Sequence, residues 1–161
     1  MKNEFIVLIF ILSLFLILIE NNIVGYSIAL ALTSITFRNL KWVDRGIGYL
    51  LSALAIYALA FAIDFYVGPK EYLHIDIPVV DVLAPVVEEV IFRGLPFLVL
   101  PRWAALIFST AVFALLHPFP LLAFLYAIAL TLAYLGGGLA SSIVLHTANN
   151  VIWTLIYLHL L

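Results

Sequence analysis

Two adjacent carboxylates and a guanidinium interrupt a long apolar run of this sequence. Glu88, Glu89 and Arg93 lie in the middle of a stretch, residues 77–100, that apart from Asp81 is otherwise apolar. The length of that stretch is typical of a membrane-spanning helix. A charged side chain at the centre of a bilayer costs on the order of 3 kcal/mol on insertion scales, so three so close together need a reason. We therefore predict that this helix faces a polar cavity in which chemistry takes place.

The spacing of the three groups gives them different roles. Glu89 and Arg93 are four residues apart and share a helix face, so an ion pair between them lowers the cost of burying both. Glu88 lies about 100° around the helix and is left without that cation. A carboxylate of this kind can exchange protons with water and substrate. The alternative is that all three groups serve only as polar contacts between helices.

A histidine follows at the end of the next apolar segment. His117 stands directly before Pro118 and close to Pro120, which end the predicted helix part-way across the bilayer. Irregular backbone at such depth is tolerated only where it is buried in protein or borders a wet cavity. Phe113, one turn earlier on the same face, is predicted to form one wall of the pocket around His117. A purely structural histidine is the alternative.

The last apolar segment carries an imidazole and two amides. His146 and Asn150 share a face by their i, i+4 spacing, and Asn149 lies on the adjoining edge. An imidazole and a carboxamide aimed at one point can donate hydrogen bonds to a developing oxyanion. Hydrogen bonding between helices is the alternative use of such residues. The remaining candidates, Asp64, His74 and His159, are predicted to be solvated or interfacial.

Composition places these residues in an integral membrane protein. The 161 residues are 66% hydrophobic and 10% charged, and the mean hydropathy is +1.25, which lies outside the range of soluble globular proteins. The net charge of -2 and the lack of a long basic cluster argue against nucleic-acid binding. Because there is no cysteine, disulfides, thiolate metal sites and a cysteine nucleophile are excluded.

The apolar pattern predicts an all-α, polytopic protein with about seven transmembrane helices, or six to eight, since about 20 residues span the hydrocarbon core. The predicted helices cover residues 5–19, 23–37, 47–67, 77–100, 103–117, 121–135 and 139–161, with a glycine turn at 136–138. The loop 38–45 holds three of the seven basic residues and is predicted to be cytoplasmic. The protein is therefore expected in the cell membrane with several spans.

This topology places the candidate residues at similar depths. At 1.5 Å per residue, Glu88, His117, His146 and Asn150 lie at about 18, 21, 10 and 17 Å from the inner boundary. Residues 1–75 are nearly free of intramembrane polar groups, so we predict an N-terminal packing portion over 1–75 and a catalytic core over 76–161. Three helices of that core would then place these four polar side chains in one layer near the middle of the membrane.

In order along the chain, the motifs are Glu88-Glu89-x-x-x-Arg93, Phe113-x-x-x-His117 and His146-x-x-x-Asn150. With this set the chain resembles the CAAX protease and bacteriocin-processing family, also called CPBP or Abi. The resemblance covers roughly residues 81–161. It implies an intramembrane endopeptidase, related to the enzymes that remove the last three residues of prenylated CAAX proteins.

The resemblance also implies roles for single residues. Glu88 would be the general base, His117 would help to hold the water, and His146 with Asn150 would form the oxyanion site. Glu89 and Arg93 would be structural support. No cofactor is expected; the alternative is zinc held by Glu88, His117 and His146.

The expected partners are a peptide or protein substrate, with or without a lipid, and the bilayer itself. Two functions of other classes compete with proteolysis. One is a non-enzymatic bacteriocin-immunity or scaffold protein of the same fold. The other is a transporter or proton relay, which fits less well because a relay needs polar groups across the whole membrane rather than in one layer.

Overall fold

The structure, a computed structural model, describes residues 2–19, 23–68 and 79–158, and in this part of the chain it is helical without any β-strand. The all-α prediction is therefore confirmed for these residues. We number the helices α1 Lys2–Ile19, α2 Ile23–Ser34, α3 Ile47–Val67, α4 over residues 79–99, α5 Arg102–Leu115 and α6 Pro120–Tyr157. A short 3-10 turn, Phe37–Asn39, follows α2.

Helix α4 is continuous but contains two wide π-helical turns, Val79–Leu83 and Val90–Gly94. Each lies just before a proline, Pro85 or Pro96, which has no N–H to donate. A proline ring inside a helix also clashes with the carbonyl one turn earlier, and a wider π-helical turn relieves this clash. The Phe92 carbonyl, four residues before Pro96, instead accepts a hydrogen bond from Ser109 Oγ of α5 at 2.6 Å. The irregular backbone thus holds α4 to α5.

Helix α4 is the centre of the molecule. Its side chains Val87, Val90, Ile91 and Leu95 are fully buried, and α1, α2, α5 and α6 pack around it. By contrast, the outer faces of α1, α2 and α3 expose many large apolar side chains. Such surfaces suit contact with acyl chains rather than water. The charged groups of α4 therefore lie at the protein centre and not against lipid.

Helix α6 is broken at Gly138, where φ is 78°. A left-handed conformation of this kind suits glycine, and a Cβ there would lie 2.6 Å from the Trp42 backbone. The N–H groups of Leu139 and Ala140, freed by the break, donate to the carbonyls of Lys41 and Trp42 at 2.8 and 3.0 Å. The predicted glycine turn is thus a sharp break, closed by the loop 38–45.

The loop 38–45, which is predicted to be cytoplasmic, lies at the same end of the molecule as the start of α5. Lys41 and Asp44 of the loop, Arg102 at the start of α5 and Tyr134 near the break line one cavity. The ammonium of Lys41 donates to Asp44, and this hydrogen bond holds the pKa of the Asp44 carboxyl below its usual value. The cytoplasmic location of the loop remains a prediction.

Within the described residues, α3 and α6 are the two helices long and apolar enough to cross a bilayer. Several elements are shorter than predicted, since α2 ends at Ser34 and α5 at Leu115. The 12 residues of α2 rise only about 18 Å, against a hydrocarbon core of about 30 Å. The count of seven spans therefore remains a prediction.

Candidate active site

One cavity of about 850 Å³ is lined by all four residues that the sequence predicts to do chemistry. Glu88 comes from α4, His117 from the connection between α5 and α6, and His146 and Asn150 from α6 beyond its break. The structure therefore brings together side chains that are up to 62 residues apart. Helices α2 and α3 complete the wall of the cavity.

The Glu88 carboxyl lies between two polar groups. Its side chain is 14% exposed. The Tyr26 hydroxyl of α2 donates a hydrogen bond to Oε1 at 2.8 Å, while Oε2 is 4.0 Å from His146 Nε2. A separation of 4.0 Å is too long for a direct hydrogen bond, but one water molecule can contact both atoms. Glu88 is thus held in place and has a free oxygen beside an imidazole nitrogen.

Glu89 faces away from the cavity and forms a buried pair with Arg93. Both side chains are 0% exposed, and Arg93 Nη1 donates to Glu89 Oε1 at 2.8 Å. The same oxygen accepts the Nδ1–H of His146 at 2.8 Å. A carboxylate bonded to one imidazole nitrogen fixes the orientation of the ring and of the other nitrogen. Glu89 therefore supports His146 as well as Arg93, a contact that helix spacing did not predict.

His117 lies just beyond α5, in the turn before Pro120, and not in the last helical turn as predicted. Its Nδ1–H donates to the Phe113 carbonyl at 2.8 Å, which leaves Nε2 for contacts in the cavity. The Phe113 ring is buried, 4.3 Å from the imidazole centroid. The Arg93 guanidinium carbon also lies close to this phenyl ring, 4.1 Å from the Phe113 centroid. Phe113 thus forms the predicted wall.

The Asn150 amide is partly engaged in packing between helices. Its Nδ2 donates to the Val80 carbonyl at 2.8 Å. In the π turn at the start of α4, that carbonyl lies five residues before Pro85, whose nitrogen has no hydrogen to offer. The bond therefore satisfies a carbonyl that the helix leaves unpaired. An amide nitrogen carries two hydrogens, so a second donor is left over for the cavity.

Sequence analysis missed the contribution of α2 and α3. Tyr26 lies in an apolar span, where a buried phenol hydroxyl needs a hydrogen-bond partner. This need is the one signal in the sequence that points to a polar contact of α2. Asp64, predicted to be solvated or interfacial, is partly buried, lines the cavity and accepts a hydrogen bond from Tyr126. His74 and His159 lie outside the described residues. The division into residues 1–75 and 76–161 remains a prediction, although both portions line the cavity.

The zinc alternative concerns the acidic and imidazole side chains of the cavity. Among the residues that the structure describes, no group of three or more His, Cys, Asp or Glu side chains is arranged to hold a metal ion. His146 Nδ1 is bonded to Glu89 and His117 Nδ1 to a carbonyl. Nε2 of each ring therefore remains for other contacts, as it does in metal-ligating histidines. The zinc alternative with Glu88, His117 and His146 stays a prediction, and we derive no step through a metal ion.

Comparison with known families decides the membership of this chain. The model of the type II CAAX prenyl endopeptidase Rce1-like family matches residues 70–152, about half of the sequence. The chain belongs to the Rce1-like family. This confirms the resemblance found in the motifs. No curated protein and no solved structure matches the chain.

Membership in the Rce1-like family fixes the broad class of the protein. The family is membrane-embedded and suggests CAAX-type intramembrane protease activity. The matched residues include the four predicted side chains of the cavity together with Glu89 and Arg93. They do not include Tyr26, Asp64 or Trp153, which line the same cavity. The Rce1-like match therefore covers the predicted chemistry but only part of the cavity wall.

Proposed function

We propose that the chain is an intramembrane endopeptidase in which Glu88 activates a water molecule without a metal ion. The observation that carries this proposal is the convergence of Glu88, His117, His146 and Asn150 on one cavity within an apolar protein. The substrate would be a peptide or protein at the membrane, including prenylated CAAX-type proteins as the family description suggests. The bilayer is the second partner.

The first step would be general base catalysis. Glu88 takes a proton from a water molecule placed between its Oε2 and His146 Nε2, which are 4.0 Å apart. The hydroxide then attacks the carbonyl carbon of the scissile bond. His117, with Nδ1 engaged by a carbonyl, offers Nε2 to help hold that water. A positioned general base of this kind contributes roughly 10²–10⁴-fold to a rate.

The second step would be stabilisation of the tetrahedral intermediate. The leftover N–H of Asn150 can donate to the oxyanion. So can His146 Nε2 in a ring that enters the cycle with both nitrogens protonated and leaves it unchanged. Glu89 accepts the Nδ1–H of that ring and holds it in orientation. Glu88 then returns its proton to the leaving amine as the bond breaks. The proton balance closes, because water supplies the hydroxyl and the hydrogen of the two products.

The test of this proposal is peptide hydrolysis by purified protein in micelles or vesicles. A quenched fluorescent peptide with a prenylated C-terminus should be turned over, and the same peptide without the prenyl group shows whether lipid is required. Mass spectrometry of the products identifies the scissile bond. If a broad panel of peptides is left uncut by well-folded protein, the non-enzymatic scaffold function replaces the proposal.

Chelation should leave the activity intact. A strong chelator such as o-phenanthroline is expected to change kcat/KM by less than about twofold, because in the proposed mechanism the Glu88 carboxylate activates the water without a metal ion. The measurement is initial rate after prolonged incubation and dialysis. Loss of activity that added zinc restores would contradict this prediction.

Tyr26→Phe should slow hydrolysis without unfolding the protein. The phenol donates to Glu88 Oε1 at 2.8 Å, and a hydrogen bond to a charged group is worth about 1.5–3 kcal/mol. We therefore expect kcat/KM to fall by roughly tenfold or more. Tyr49→Phe is the matched control, since Tyr49 lies at the opposite end of the molecule. Equal rates for Tyr26→Phe and wild type would show that this contact does not position the base.

A further inference from the structure

The cavity continues beyond the four predicted residues along a second wall. This wall consists of one acid and four aromatic side chains, Asp64, Tyr57, Tyr126, Trp153 and Tyr157. We call it the acid–aromatic wall. None of these residues has a part in the proposed hydrolysis. Four of the five, all but Tyr126, lie outside the residues that match the Rce1-like family.

Hydrogen bonds and ring contacts hold the Asp64 carboxylate in this wall. The Tyr126 hydroxyl donates to Asp64 Oδ2 at 3.0 Å, and Trp153 Nε1 donates to the Tyr126 oxygen at 3.4 Å. The rings of Tyr57 and Tyr126 lie 6.0 Å apart. The ring of Trp153 packs on Phe61 at 5.2 Å. The position of the Asp64 carboxylate is therefore fixed by its hydrogen bond to Tyr126 and by the packed rings around Tyr126 and Trp153.

Asp64 has no cationic partner in the part of the chain that the structure describes. The lysine and arginine ion pairs there join Lys41 to Asp44 and Arg93 to Glu89. Ammonium and guanidinium groups pair with carboxylates and are attracted to aromatic faces, and this wall contains both. The acid–aromatic wall thus has the chemistry of a site for an organic cation.

The wall lies at a defined distance from the proposed chemistry. His146, Asn150, Trp153 and Tyr157 follow one face of α6 at helical spacing and all line the cavity. At 1.5 Å per residue, Trp153 is about 10 Å along the helix from His146. An extended peptide rises about 3.3 Å per residue. A substrate held along this face would therefore reach the wall about three residues from the scissile bond.

We propose that the acid–aromatic wall is a specificity subsite for a lysine or arginine side chain of the peptide substrate. The proposal rests on the proposed endopeptidase function and adds a substrate preference to it. Asp64 supplies the charge, and Trp153 with Tyr57 supplies aromatic surface around the cation. Substrates would then carry a basic residue about three positions from the bond that is cut.

The test uses pairs of peptides that differ at one position, lysine against glutamine, with the position moved along the peptide on both sides of the scissile bond. Wild type should prefer lysine by about tenfold in kcat/KM at a position about three residues away. Asp64→Asn should bring that ratio to about one. Asp64→Lys should reverse it, and a third peptide with glutamate at that position should then be preferred over both. Asp44→Asn, at the opposite end of the molecule, is the matched acid control and should keep the wild-type ratio.

Binding of the same labelled peptides to the Glu88→Gln protein separates the two proposals, because it needs no turnover. A lysine preference in binding that depends on Asp64 supports the subsite even if no peptide is hydrolysed, and the endopeptidase function would then fail alone. Hydrolysis or binding with no lysine preference at any position overturns the subsite. So does a preference that survives Asp64→Lys. Enrichment of choline lipids over peptides on wild type, lost in Asp64→Asn, would assign the wall to a lipid headgroup and also overturn it.

Discussion

Glu88→Gln is expected to lower kcat/KM for peptide hydrolysis by at least about 10³-fold, while the protein remains folded. Glutamine keeps the size of the side chain and can still accept a hydrogen bond from Tyr26. It cannot take a proton from water, so the proposed first step is lost. The measurement is turnover of the quenched peptide, with single-turnover kinetics to separate chemistry from product release.

The control for this variant is its stability, because a lost fold would also remove activity. Thermal unfolding in the same micelles should match wild type to within a few degrees, since Glu88 lines a cavity and is not in the buried ion pair. Full activity in Glu88→Gln would contradict the proposed role.

Arg93→Met is expected to have the largest effect on stability. Arg93 and Glu89 are both 0% exposed and joined at 2.8 Å, and breaking a buried pair by removing one partner costs about 3–5 kcal/mol. Methionine keeps apolar volume over the Phe113 ring, so the loss comes mainly from the stranded Glu89 charge. The measurement is the free energy of unfolding in a denaturant titration of mixed micelles.

Replacing both partners separates stability from function. In Glu89→Leu with Arg93→Met no charge is stranded, and such double replacements are often close to neutral. Most of the lost stability should therefore return. Activity should stay down by roughly 10–100-fold, because His146 loses the carboxylate that orients its ring. Wild-type stability in Arg93→Met, or wild-type activity in the double variant, would show that these contacts do not have the roles assigned to them.

Much of the candidate site could be predicted from the sequence because its signals are local. Charged and amide side chains in apolar runs stand out, and helical spacing assigns their faces. The pairing of Glu89 with Arg93 follows from i, i+4 geometry alone and is present in the structure. The break at the three glycines and the end of α5 before Pro118 follow equally from backbone chemistry.

Contacts between distant segments could not be predicted in this way. Tyr26 reaches Glu88 across 62 residues, and His146 reaches Glu89 across 57. Asn150 satisfies a carbonyl that becomes free only because α4 widens before Pro85. Helix ends were also misplaced by several residues, since an apolar run does not show where its hydrogen-bonded turns stop. Each of these depends on how helices pack.

The sequence by itself determined that the protein is helical, belongs in a membrane and holds ionisable groups in an apolar setting. Those properties depend on composition and on short-range periodicity, which are properties of the sequence itself. Only the tertiary structure decided that Glu88 shares one cavity with His117 and Asn150, and that Glu89 binds His146 as well as Arg93. It also decided that Asp64 and Tyr26 share that cavity. The physical reason is that helical periodicity fixes which side chains share a face, whereas packing fixes what each face meets.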